Sequence, residues 1–302
     1  MTHIVVLTSQ PEKGDLSDAL LGDVTARLGS VCKVGKARVL AKGHAAEIQV
    51  SDVSEQALND VIARFAEKVP VDFNLVAQAW RQKKLLIADM DSTIITSECI
   101  DEIADFAGVK DKISGITERA MRGELEFESA LRERVLLLKG LETSILATVF
   151  EERIELTSGA KTLVATMRAN GAYTALISGG FTFFTERVAR DVGFDFQQAN
   201  HLIEEDGRLA GTVREPILGR DAKRSALQDL RKGGGKDGEL NALETMAVGD
   251  GANDLAMIEE AGLGVAFRAK PLVAEAASAS IQYGDLTALL YLQGYTEEAF
   301  QS

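Results

Sequence analysis

Cysteine, proline and tryptophan are scarce in this 302-residue chain, at 2, 4 and 1 residues. The two cysteines, Cys32 and Cys99, stand far apart and without metal-site spacing. That excludes a disulfide framework and suits free thiols in a reducing cytoplasm. Positive charge is in the minority too. With 33 Lys and Arg against 46 Asp and Glu the formal net charge is -13, which disfavours nonspecific attachment to nucleic acid or an anionic membrane. No apolar run approaches the roughly 18 residues a bilayer span needs. The opening MTHIVVLTSQPEKGD has no basic region followed by a long apolar core, so no export signal is expected. The expectation is a cytoplasmic protein with neither membrane nor nucleic-acid partners. Apolar residues, by contrast, make up 46% of the chain, enough for two domains or one elaborated α/β domain.

Residues 1–80 read as β-α-β-β-α-β. Strands are expected at Ile4–Thr8, Lys36–Leu40, Ala45–Val50 and Val71–Val76, with helices at Asp15–Leu28 and from Ser54 to Val69. That order is the ferredoxin-like sandwich, which resembles amino-acid-sensing ACT modules in topology only. A regulatory or dimerisation module, and with it a possible homodimer, is the expectation. A linker over Gln78–Lys83 then carries Trp80, read as packing between domains.

The chain is organised around KKLLIADMDST, Lys83–Thr93. Leu85–Ala88 is a short apolar run of the kind buried on both faces of a parallel sheet. It ends in Asp89 and Asp91, whose i, i+2 spacing lets both side chains face one pocket in extended chain. Ligands bind beyond such strand ends. Two carboxylates that close repel unless a cation or a proton intervenes. Taken alone, the stretch is equally an Asp-rich turn.

From about 97 to 154 four helical stripes follow, each ending near a glycine (Gly108, Gly123, Gly140) or at Phe150, a block suited to covering the pocket. Within it, Arg134 lies on a charge-rich helix face and Glu98 at a helix start, both ordinary surface positions on their own. Further on, Tyr173–Ile177 runs into Ser178-Gly179-Gly180 before a helix. This is either a glycine turn or an anion cradle built from a hydroxyl and backbone N–H groups. Phe194–Gly219 reads as a peripheral β excursion, Lys223 as a lysine near a helix start, and Gly233–Glu239 as a flexible loop. Thr245–Val248 is another buried strand, ending in GDGANDLAM with Asp250, Asn253 and Asp254 as oxygen ligands suited to a hard cation such as Mg²⁺.

In order, DMD, SGG, Lys223 and GDGAND resemble the haloacid dehalogenase-like phosphohydrolases over residues 82–302. DMDSTIITSECIDEIA, FESALRERVLLLKGL, ISGGF and VGDGANDLAMI are similar to the phosphoserine phosphatases among them. The resemblance implies a doubly wound α/β core with a helical cap over about 97–154, and Mg²⁺-dependent hydrolysis of O-phospho-L-serine as the last step of serine biosynthesis. It implies Asp89 as nucleophile and Asp91 as proton carrier. Mg²⁺ would lie among Asp89, the Met90 carbonyl and Asp250, with Asp91 a less direct neighbour. Ser178, Gly179 and Lys223 would hold the phosphoryl group, with Asn253 touching substrate and Asp254 orienting the metal or Lys223. It further assigns Glu98 to the substrate ammonium, Arg134 to its carboxylate, and Met121 and Phe127 to the closed cap. Two alternatives stand beside this reading. A phosphatase or phosphotransferase for another small molecule would lack use for Glu98 with Arg134. A noncatalytic amino-acid sensor would not need the catalytic set that is present.

Overall fold

The computed structural model describes residues 2–52, 54–66, 68–121, 124–233 and 238–302. The first four strands, β1 (His3–Ser9), β2 (Lys33–Ala41), β3 (Ala45–Ser51) and β4 (Val71–Ala77), form an antiparallel sheet in the order β2-β3-β1-β4. Helices α1 (Asp18–Leu28) and α2 (Glu55–Ala66) complete the expected sandwich. The period-2 alternation of β1 sends Val5 and Leu7 toward Val24, Leu28, Leu58 and Ile62. It sends Ile4 and Val6 the other way, into the large core shared with the rest of the chain.

That second face is fastened by polar side chains acting on distant backbone. Asp72 accepts from the amides of Gln282 (2.8 Å), Tyr283 (3.1 Å) and Gly284 (2.8 Å). Asn74 exchanges two hydrogen bonds with Ser280, at 3.0 and 2.7 Å. Arg81 donates to the carbonyls of Tyr291 and Leu292 and pairs with Glu47 at 2.6 Å. Trp80, expected between the domains, is instead 50% exposed with a left-handed φ of 57°; its neighbour Arg81 makes the contact.

The remaining chain builds a parallel sheet in the order β12-β11-β10-β5-β6-β7. Its strands are β5 (Leu85–Ala88), β6 (Tyr173–Phe181), β7 (Phe196–Asn200), β10 (Thr245–Gly249), β11 (Leu263–Phe267) and β12 (Ala279–Ile281). Strand β5 sits between β10 and β6. Leu86 and Ala88 face one apolar cluster and Leu85 and Ile87 the other, so this strand is walled on both sides. The excursion expected after Phe194 divides in two: Phe196–Asn200 joins the sheet as its edge strand, and only β8 (Leu202–Glu205) with β9 (Arg208–Val213) forms a separate hairpin. The mixed polarity of FQQAN is that of an edge strand with one wet face.

Between β5 and β6 come α3 (Cys99–Phe106), α4 (Lys110–Met121), α5 (Phe127–Leu136), α6 (Ser144–Arg153) and the crossover helix α7 (Ala160–Ala169). The four-helix insertion leaves and rejoins the core on adjacent backbone. Thr96 N–H donates to the Glu155 carbonyl at 3.0 Å and Thr157 N–H to that of Ile94 at 2.9 Å. Helix α8 (Thr182–Val192) links β6 to β7, α9 (Arg220–Gly233) leads to β10, and α10 (Leu255–Glu260), α11 (Pro271–Ala276) and α12 (Ala288–Leu292) follow. Gly123 and 234–237 of the glycine-rich loop lie outside the described residues.

Candidate active site

Strand β5 stops at Ala88, and Asp89 continues its extended path (φ -69°, ψ 159°). The chain then wraps into a tight turn over Met90–Ile94, closed by Ile95 N–H on the Met90 carbonyl at 3.0 Å. Asp91 remains extended within it (ψ 135°), and Ser92 takes φ 56°, a conformation rare for a side chain of this kind. The turn delivers both carboxylates to the carboxyl end of the sheet, where β6 and β10 also end.

Lys223, on the first turn of α9, is fully buried and donates to Asp89 Oδ1 and Asp254 Oδ1 at 2.6 Å each. Asp254 also accepts the Gly251 amide at 3.1 Å. A side-chain carbon at Gly249 would collide with Asp254, so glycine is what lets that carboxylate close over the end of β10. Burial would push the Lys223 ammonium down, but Asp254 and then Asp89 together hold it above the usual lysine range. Asp89 is pushed well above the usual carboxylate range, first by burial and then by Asp254. Asp250 is raised to about 6, again by burial and then by Asp254.

Asp91 faces the other way round the pocket. Its Oδ1 accepts the Cys99 amide at 2.8 Å, at the first residue of α3, and its Oδ2 accepts the Ser178 hydroxyl at 3.0 Å. Ser178 Oγ in turn accepts the Gly180 amide at 2.8 Å. A Cβ at Gly180 would come within 2.7 Å of Asp91 Oδ2, so the glycine allows this approach. The SGG stretch is thus the tail of β6 rather than a loop after it. Helix α8 begins only at Thr182.

Glu98 stands at the entry to α3, its carboxylate accepting the Ser92 hydroxyl at 2.7 Å. Solvent reaches it, yet crowding by the protein and then the charge of Asp91 raise it to about 7. Half-buried Arg134, on α5, keeps Nε on the Ala130 carbonyl at 3.3 Å and lies in the field of Asp101, Glu98 and Asp91. Phe127 opens α5 and rests on the core, packed against the positions of Gly179 and Gly219. Asn253 is half-buried in the turn after β10. Met121 ends α4; its side chain lies outside the described residues. Sequence reasoning missed Ser92, whose left-handed conformation has no signature in a serine, and the Cys99 amide, because backbone donors carry no residue label.

Asp89, Asp250 and Asp254 each offer one carboxylate oxygen, and the three oxygens lie within 4.8 Å of one another. Asp91 adds a fourth carboxylate beside Asp89, against the Lys223 ammonium on Asp89 and Asp254 and the positive field of Lys270 at Asp250. Such an all-oxygen, anion-rich set fits a hard divalent cation. The Met90 carbonyl, already accepting one amide, retains a second lone pair.

Residues 86–259 match the haloacid dehalogenase-like hydrolase family, and the chain belongs to that family. Among curated relatives, phosphoserine phosphatase of Archaeoglobus fulgidus is 43% identical over 232 residues, 76% of this chain and 65% of that protein. The probable phosphoserine phosphatase of Schizosaccharomyces pombe is 40% identical over 299 residues, 98% and 95% of the two chains. The chain therefore spans about two thirds of the first of these relatives and nearly all of the second. A solved structure, the unliganded probable phosphoserine phosphatase of Vibrio cholerae, superposes with a TM-score of 0.77 at 31% identity, covering 99% of this chain and 88% of that one.

Proposed function

We propose that the protein hydrolyses O-phospho-L-serine to L-serine and inorganic phosphate, the closing step of serine synthesis. The observation that carries the reading is the buried Lys223 bridging Asp89 and Asp254 at 2.6 Å each, with Asp91 close enough to act on both Asp89 and Glu98. Asp89 attacks phosphorus, and the serine oxygen departs with a proton from Asp91. Asp91 then takes a proton from water, which attacks the phosphorus of the aspartyl-phosphate and frees Asp89. Ser178 Oγ, the Gly179 amide and Lys223 Nζ hold the phosphoryl oxygens. Asp89, Asp250 and the Met90 carbonyl would hold Mg²⁺, and Asp254 fixes Lys223. When bound, the ion neutralises carboxylate and phosphoryl charge, letting Asp89 stay ionised.

Specificity is assigned to the insertion. Glu98 accepts the substrate ammonium, Arg134 pairs with its carboxylate, and Phe127 and Met121 close the apolar side, with Asn253 a polar contact from the core. The relatives named phosphoserine phosphatase support this substrate. Residues 1–80 are proposed as a regulatory or dimerising module ahead of a phosphatase domain at 82–302. Its edge strand β2, with Val39 52% exposed, is a surface for a homodimer. Phosphate release should be measured on phosphoserine beside phosphoglycolate and sugar phosphates, with Mg²⁺. A strong preference for phosphoserine is expected; equal rates on all would refute the substrate assignment.

A further inference from the structure

Asn200 is the last residue of β7 and is only 3% exposed. A buried primary amide is costly unless its donors and acceptor are met. All of them are. Its Nδ2 donates to the Gly179 carbonyl at 2.8 Å and to the Leu218 carbonyl at 3.2 Å, and its Oδ1 accepts the Leu218 amide at 2.7 Å. Gly179 belongs to the proposed phosphoryl cradle. Leu218 immediately precedes Gly219, whose carbonyl accepts the Lys223 amide in the first turn of α9. One side chain therefore ties the strand end that carries Ser178 and Gly179 to the segment that launches Lys223.

The same two segments meet the insertion from the opposite side. A Cβ at Gly179 would stand 3.0 Å from Phe127 Cζ, and one at Gly219 would stand 3.2 Å from Phe127 Cδ1. The Phe127 ring thus bears on both strands of backbone that Asn200 joins. Any change in the spacing between Gly179 and Leu218 alters the cradle and the seat of the insertion together. We propose that Asn200 is a positioning residue of the phosphatase reaction: it sets the separation of Ser178 and Gly179 from Lys223, and with it the surface on which Phe127 closes. Asn200 does not touch the substrate itself. Its contribution is geometric, of the kind that holds donors where charge develops on the transferring group.

The proposal rests on the phosphatase reading, so its test begins by measuring phosphate release by the wild type. No release from any ester would refute that reading and this inference with it. Given an active wild type, Asn200→Asp keeps size and the acceptor for Leu218 but turns a donor into a carboxylate facing two carbonyls. We expect kcat to fall about tenfold or more on phosphoserine and on an aryl phosphate alike, and competitive inhibition by inorganic phosphate to weaken. The ratio of KM values for the two esters should hold, because Glu98 and Arg134 are untouched. In a cycle with Ser178→Ala, the combined loss in kcat should be smaller than the product of the single losses, since both act through one cradle. A folded Asn200→Asp with kcat within about twofold of wild type, or fully multiplicative losses with Ser178→Ala, would overturn the proposal. Should the variant not fold, amide exchange in the wild type decides. Saturating inorganic phosphate should slow exchange at the Leu218 amide, and unchanged exchange there counts against the clamp.

Discussion

Arg134 lies in the field of Asp101, Glu98 and Asp91, so a guanidinium and carboxylates lie close enough to act on one another in the region proposed for a zwitterionic substrate. A charged hydrogen-bonded pair contributes about 1.5–3 kcal/mol. Arg134→Ala is therefore expected to raise KM for phosphoserine by about tenfold to 100-fold and to leave KM for an aryl phosphate within about threefold. Parallel steady-state kinetics on the two esters check this, and equal rises would contradict the carboxylate role. The proposed ammonium site at Glu98 predicts a pH dependence. Its carboxyl is raised to about 7 by crowding and by Asp91, and only the ionised form, present above that pH, attracts an ammonium. The ratio of kcat/KM for phosphoserine to that for the aryl ester should fall as pH drops through 7, and Glu98→Gln should flatten it. Taking the ratio cancels protonation of the nucleophile site, which both esters share. At this scale the sequence was partly legible. The i, i+2 spacing of Asp89 and Asp91 and the glycines after Ser178 and Asp250 mark themselves by local chemistry. Arg134 and Glu98 sit in charge-rich helices where nothing local separates a ligand-binding residue from a solvated one, and only the resemblance singled them out.

Among elements, the strands that carry the site are the easiest to read, because β5 and β10 are short, apolar and buried on both faces. Strand β7 hides among polar residues since it forms an edge, and with it hid Asn200. Partners far apart in sequence were also beyond reach: Asp72 binds Gly284 across 212 positions, a pairing no periodicity encodes. That carboxylate is 5% exposed and satisfies three consecutive amides. Asp72→Ala would leave those donors buried without an acceptor, at a cost of about 3 kcal/mol. Denaturant unfolding of the full chain should show that loss, with Asp72→Asn falling between. A loss below about 0.5 kcal/mol would mean that the Asp72 contacts do not help hold the N-terminal sheet in place.

For the whole molecule, the ends of β5 and β10 bring together more carboxylates than Lys223 pairs with. A cation that binds only the folded arrangement stabilises it by mass action, about 2.7 kcal/mol at 100 times Kd. Mg²⁺ is therefore expected to raise Tm, a chelator to remove that gain along with phosphatase activity, and Asp250→Ala to abolish the shift. A thermal melt with and without Mg²⁺ that shows no difference in the wild type would argue against a metal at Asp89 and Asp250. All of this chemistry converges on Asp89, the residue that the lysine, the cradle and the acidic cluster surround. The most direct measurement is acid quench during turnover of phosphoserine, followed by mass spectrometry of the peptide spanning Lys83–Thr93. Phosphate should be found on Asp89, and Asp89→Asn should carry none and release none. Turnover with an unmodified Asp89, or full activity in Asp89→Asn, would contradict the mechanism at its centre.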